Sequence, residues 1–147
     1  MVEVSLRIPA PAARVFAVLS DGWSYASWVV GAAHIREVDA GWPAPGTRIH
    51  HSVGTWPALV SDVTSVRSCD PGRTLELEAG MWPFGAAHIR FELSEEDGGT
   101  LVRMHEEAVK GPLSILPSAA QALFLSPRNK ETLHRLADLA ARRETPR

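Results

Sequence analysis

The sequence predicts an α+β fold: a seven-stranded antiparallel sheet, two short helices after the first strand, and one long C-terminal helix. Three observations predict it. Apolar and polar residues alternate in the opening segment and again through the middle of the chain, the period of strands with one buried face. Turn sequences rich in Pro, Gly and Asp punctuate that middle. Residues 117–143 switch to helical spacing.

Val2, Val4, Leu6 and Ile8 alternate with Glu3, Ser5 and Arg7, which predicts the first strand. Pro9 and Pro11 end it, and Pro11 suits the opening of a helix. Ala12, Val15, Phe16 and Leu19 then follow helical spacing, so residues 11–20 read as a short amphipathic helix, closed by Ser20, Asp21 and Gly22. Residues 23–29 read as a second one. Strands follow at 32–38 and 47–53 around GWPAPG, at 57–68 and 74–81 around CDPGR, and at 85–94 and 100–110 around EEDGG. In the tail, Ala119, Ala122, Leu123, Ser126, Asn129 or Lys130, Leu133, Leu136, Ala137 and Ala140 form one stripe. Pro127 falls inside it, and because the stripe keeps its phase there, one long bent helix is expected. WVVGAAHIR at 28–36 and WPFGAAHIR at 82–90 echo each other, and both read as hairpin openings.

A chain of 147 residues suits one domain. At 16.0 kDa it should bury about two-thirds of its unfolded surface, so it needs no disulfide or metal staple. The net charge of −2, from 15 basic and 17 acidic residues, leaves no cationic field for nucleic acid. Cys69 is the only cysteine, which excludes an intrachain disulfide and suits a reducing cytoplasm. No signal peptide or membrane span is read, and a monomer or homodimer is expected. HEEAV at 105–109 lacks the second histidine of a zinc-protease helix and lies in a strand pattern. His50 and His51 are adjacent on a strand and point to opposite faces, so they cannot chelate one ion. Neither a metal nor a cofactor is predicted.

IPAPAARVFAVLSD, WVVGAAHIREVD, PGTRIHHSVGTWP, CDPGRTLELEA, GGTLVRMHEEAVKGP and RNKETLHRLADLA occur in this order over nearly the whole chain. In this, the sequence resembles the SRPBCC superfamily of START and pollen-allergen type helix-grip proteins, and within it the polyketide cyclase/dehydrase-like branch. The resemblance implies a helix-grip sheet wrapped around the C-terminal helix, with a ligand cavity between them. The superfamily spans lipid carriers, cyclases and hydrolases, so fold alone does not choose the chemistry.

Candidate site residues are polar groups on apolar faces. Glu106 shares a face with Val102 and Met104, and His51 with Ile49 and Val53. An inward Glu106 lacking a cationic partner would have a raised pKa. Both faces of 57–68 are mixed. One orientation turns Asp62 inward near His51; the other turns Arg67 inward, where aromatase/cyclase relatives place an arginine that polarises a carbonyl. His51, Asp62, Arg67 and Glu106 are therefore the catalytic candidates. His51 and Glu106 are expected too far apart to act in concert on one substrate atom. Trp28, Trp56, Met81, Trp82, Phe84 and Met104 could line an apolar pocket with His51 and Glu106, closed by Ala119 and Leu123 of residues 118–137. Tyr25, the only tyrosine, reads as a surface helix residue. The expected function is binding of a small hydrophobic or aromatic molecule, lipid- or polyketide-like. A polyketide cyclase, aromatase or dehydrase is the alternative, and a co-chaperone-like interaction module the second alternative.

Overall fold

The computed structural model describes residues 2–30, 32–53, 60–80 and 85–142. Its elements are β1 (Val2–Ile8), α1 (Ala12–Ser20), a 3-10 turn (Gly22–Ser24), α2 (Tyr25–Trp28), β2 (Ala32–Val38) and β3 (Arg48–Val53). They continue with β4 (Val60–Asp70), β5 (Thr74–Gly80), β6 (Ala86–Glu96), β7 (Gly99–Lys110), a second 3-10 turn (Pro112–Ile115) and α3 (Ser118–Arg142). The predicted order therefore holds, and each boundary that falls on described residues lies within two residues of the predicted one. The second short helix splits into a 3-10 turn and one α-turn.

One sheet holds all seven strands in the order β1-β7-β6-β5-β4-β3-β2, each neighbouring pair antiparallel. β1 and β2 are the two edges. α1, the first 3-10 turn and α2 lie between them in the chain, so these short helices carry it from one edge to the other. The strands then return hairpin by hairpin to β1. The tightest hairpin is β6–β7, where Asp97 and Gly98 both take positive φ, 44° and 79°. That is the two-residue turn whose twist matches paired strands.

Alternation decides which face is inside. On β5, Leu75, Leu77 and Ala79 are buried; on β6, Ala87, Ile89, Phe91 and Leu93; on β7, Val102, Met104, Glu106 and Ala108. α3 and α1 contribute Leu125, Leu133, Leu136, Val15, Phe16 and Leu19 to the buried set. Burial of one large aliphatic side chain contributes roughly 1.5–3 kcal/mol, so this inner face is the main source of stability. The outer face carries ion pairs such as Arg48–Asp39 and Arg90–Glu92.

α3 runs unbroken through Pro127, as expected, but its phase differs from the expected stripe in the first half. Gln121, Leu125, Asn129, Thr132, Leu133, Leu136 and Ala140 face inward. Ala119 is exposed, and Leu123 is 77% exposed. The cause is hydrogen bonding. Gln121 accepts from the Ala108 N–H of β7 at 3.2 Å and donates to the Leu116 carbonyl at 3.0 Å. A polar residue that satisfies buried backbone groups takes the inner position, and the apolar neighbours turn outward.

Gly85 opens β6 at φ +101°, and a Cβ there would fall 2.0 Å from the carbonyl oxygen of Lys110. Gly85→Ala is expected to destabilise the protein by about 2 kcal/mol or more, through strain and loss of the β6–β7 register at this end. Urea unfolding of the variant against the parent checks it; equal midpoints would contradict it.

Candidate functional site

Two buried polar clusters lie on the inner face. The first is built on Glu106, which is 0% exposed. It occupies the inward β7 position after Val102 and Met104, opposite Ile89 of β6 and Val2 of β1. Its Oε1 accepts from the Arg128 guanidinium and from Asn129 Nδ2 at 2.8 Å. Oε2 is buried with no hydrogen-bond partner. The inward carboxylate is therefore not without a cation: α3 supplies one. Consecutive residues Arg128 and Asn129 both reach one oxygen, just after Pro127.

The second cluster is a chain of three side chains. Nε2 of His51 lies 2.8 Å from Thr64 Oγ1, and Thr64 Oγ1 lies 3.2 Å from the Tyr25 hydroxyl. His51 is 1% exposed and its Nδ1 has no hydrogen-bond partner. The Tyr25 ring packs against His51 at 5.6 Å and against Trp28 at 5.4 Å, and Trp28 stacks edge-on to Phe91. Three elements converge here: α2 brings Tyr25, β3 brings His51 and β4 brings Thr64. Tyr25 is buried, correcting its reading as a surface residue. A helix of four residues is too short to show an apolar period, so its inner face cannot be read from spacing.

Thr64 and Val66 are buried on β4 and Asp62 is half-buried, so this is the inward face of the strand with two mixed faces. Asp62 is the cross-strand partner of His51. The histidine's hydrogen bond nevertheless goes to Thr64, while Asp62 Oδ1 accepts from the Val63 N–H at 2.8 Å. Arg67 points outward, correcting the inward alternative. It pairs with Glu78 at 3.7 Å and lies 3.1 Å from His88. Thr64 and Val66 fill the inner face, and Arg67 is exposed at the register shift that β4 makes against β5 between Val66 and Ser68.

Trp28 and Met104 are buried on the inner face as expected. Ala119 and Leu123 are not, for the reason given with α3. Trp56, Met81, Trp82 and Phe84 lie outside the described residues. Sequence reasoning missed Tyr25, Thr64, Arg128, Asn129 and Gln121. For the last three, the available signal was a set of polar residues at positions 121, 128 and 129, close to one helical face. An apolar hollow of about 430 Å³ lies elsewhere, lined by Phe16, Ser20, Pro43, Ala44, Pro45, Cys69 and Pro71. Among the described residues Ser20 is the one hydroxyl that lines it, which offers little to orient a ligand. Among the described residues no three His, Cys, Asp or Glu side chains gather as a metal site requires.

Burial sets the electrostatics. It pushes the Tyr25 phenol up to about 12, opposed by the Thr64 hydrogen bond and reinforced by the charge of Glu106. Burial also lowers the pKa of His51, opposed by Asp62 and reinforced by Arg36 and His50. Both groups are therefore neutral near pH 7. Tyr25 senses Glu106, Arg128 and Asp62 together, so it stands electrostatically between the two clusters. No hydrogen bond among the described residues joins His51 to Glu106. The arrangement can orient a polar group on a mostly apolar molecule and can pass a proton along Tyr25, Thr64 and His51.

Two titrations check this. Tyr25 is the only tyrosine, so tyrosinate absorbance reports it alone. In the folded protein its midpoint is expected near 12 rather than 10, and its stabilising share is lost as pH rises through that window. A folded-state midpoint near 10 would contradict burial. For His51, the unfolded state binds the proton more readily. Stability is thus lost as pH falls from the ordinary histidine value of 6.5 toward the lower folded value. Urea midpoints between pH 7 and pH 5 should fall more steeply for the parent than for His51→Gln; parallel slopes would contradict it.

The comparisons agree with this fold. The family described as polyketide cyclase / dehydrase and lipid transport matches residues 1–141. A search of curated proteins finds no match. Among solved structures, Ara h 8.0201 shares 15% identity at a TM-score of 0.71, covering 96% of this chain and 97% of that one. The protein NE0264 from Nitrosomonas europaea shares 13% identity at a TM-score of 0.70, covering 95% and 93%. The Zhui aromatase/cyclase from a Streptomyces species shares 16% identity at a TM-score of 0.67, covering 97% and 93%. At these identities the structures establish the helix-grip fold, and with the family match over nearly its whole length the chain belongs to the polyketide cyclase/dehydrase and lipid transport family.

Proposed function

We propose that this protein binds a small, largely apolar molecule, lipid- or polyketide-like, between the inner face of the sheet and α3. The observation that carries this reading is a pair of fully buried polar atoms without protein partners, Oε2 of Glu106 and Nδ1 of His51. An unsatisfied buried polar atom costs roughly 1–3 kcal/mol, and a protein of marginal stability keeps two of them on one face where something else meets them. Around them, Trp28, Phe91 and Met104 provide the apolar contacts of a small-molecule site. The family's cyclase and lipid transport members support the same ligand chemistry.

One observation favours a catalytic second reading. The Tyr25–Thr64–His51 chain could deliver a proton to a ligand carbonyl, as enolisation and dehydration of a polycarbonyl chain require. The outward Arg67 takes no part in it.

Native mass spectrometry of protein purified without organic solvent tests the proposal. The expected spectrum shows a small molecule that stays bound under gentle ionisation and leaves on denaturation. Trp28→Ala should lose it, provided the variant keeps a cooperative melt. A bare polypeptide mass, together with no thermal shift from any member of a panel of fatty acids and aromatic ketones, would contradict it.

A further inference from the structure

The hydrogen-bond network of the inner face fixes which protons a ligand meets there. Among the described residues the Tyr25 hydroxyl has one hydrogen-bond partner, Thr64, and Thr64 has one other, His51 Nε2. Two orders of donation use the Thr64 proton within the chain; a third, in which Thr64 Oγ1 accepts from both neighbours, leaves the threonine proton and Nδ1 unmet. In the first, Tyr25 donates to Thr64 and Thr64 donates to Nε2. Both hydroxyl protons are used, and the neutral histidine carries its proton on Nδ1. In the second, Nε2–H donates to Thr64 and Thr64 donates to Tyr25. The phenol proton is then buried without an acceptor, and Nδ1 is a buried lone pair without a donor. The first order leaves one unmet group and the second leaves two, each at a cost comparable to a lost hydrogen bond. The first therefore prevails, and Nδ1–H of His51 is a donor.

Glu106 is the opposite case. Arg128 and Asn129 both donate to Oε1, and a carboxylate oxygen only accepts, so Oε2 is an acceptor. Resting on the small-molecule reading above, we propose that the site selects a hydroxy-carbonyl compound. Its carbonyl oxygen accepts from His51 Nδ1–H, and its hydroxyl, phenolic or enolic, donates to Glu106 Oε2. The two groups lie well apart on the ligand, because β3 and β7 have β4, β5 and β6 between them in the sheet. Thr64 and Tyr25 act as positioning residues by holding the histidine tautomer.

Two measurements test this. Long-range proton–nitrogen correlation NMR of the histidine rings, with His51 assigned by its loss in His51→Phe, should show the proton on Nδ1 in the parent. In Thr64→Val the lock is released and the Nε2–H form should appear. A parent ring protonated on Nε2 would overturn the proton assignment, whatever binds. The second measurement titrates the unmodified protein with three probes: para-acetylbiphenyl, para-hydroxybiphenyl, and the biphenyl carrying acetyl on one para position and hydroxyl on the other. The two-group probe should bind about tenfold or more tightly than either single-group probe, the size expected for one buried hydrogen bond with a preformed partner. His51→Phe should erase the advantage from the acetyl group, and Glu106→Gln that from the hydroxyl. Equal binding of all three would overturn the hydroxy-carbonyl assignment and leave the small-molecule reading standing. No binding by any of the three, with the fold intact, would count against that reading itself. The three-probe comparison is made in the parent protein, so it does not depend on either variant folding.

Discussion

The join between Glu106 of β7 and the Arg128–Asn129 pair of α3 is the interaction on which the inner face depends. Burying a carboxylate costs several kcal/mol unless a cation and hydrogen-bond donors meet it, and both come from the helix. The helix is therefore not free to turn about its axis. Rotating its apolar alanines inward would pull Arg128 and Asn129 off Glu106, and Gln121 off the Ala108 N–H. Farther along α3, Thr132 accepts from the Val30 N–H just after α2, the turn that holds Tyr25 and Trp28. One helix phase thus fixes the place of both polar clusters.

The fold was legible where side chains alternate. Parity on β3 and β7 is enough to turn His51 and Glu106 inward, because their neighbours Ile49, Val102 and Met104 are unambiguously apolar. Parity could not orient β4, where Asp62 and Thr64 on one face balance Ser61 and Ser65 on the other. There the decision rests on tertiary partners, since Thr64 bonds to His51 and Tyr25. The first half of α3 was misread because hydrophobic periodicity counts Gln121 as an outward residue and leaves Asn129 as one of two choices on the stripe. Their amides satisfy buried groups, which no spacing rule detects. The same blindness hid Arg128, a cation whose role exists only once β7 is packed beneath it.

The two faces of the sheet handle charge differently. Outside, Arg48 pairs with Asp39 and Arg67 with Glu78 where water screens them, and such pairs contribute little to stability. Inside, His51 and Tyr25 are held neutral by burial, and the buried carboxylate of Glu106 is matched by a cation from the helix. This separation leaves a small number of directed hydrogen-bonding atoms in apolar surroundings. Such surroundings favour selection by hydrogen-bond pattern, because a mismatched group there has no water to turn to.

The most direct test of this account is a double-mutant cycle on Glu106 and Arg128, with unfolding free energies for Glu106→Gln, Arg128→Met and the double variant. If the carboxylate and guanidinium are one unit that sets the helix phase, the double variant should lose less than the sum of the singles. The coupling should be about 1 kcal/mol or more. Additive losses, within about 0.5 kcal/mol, would contradict the account.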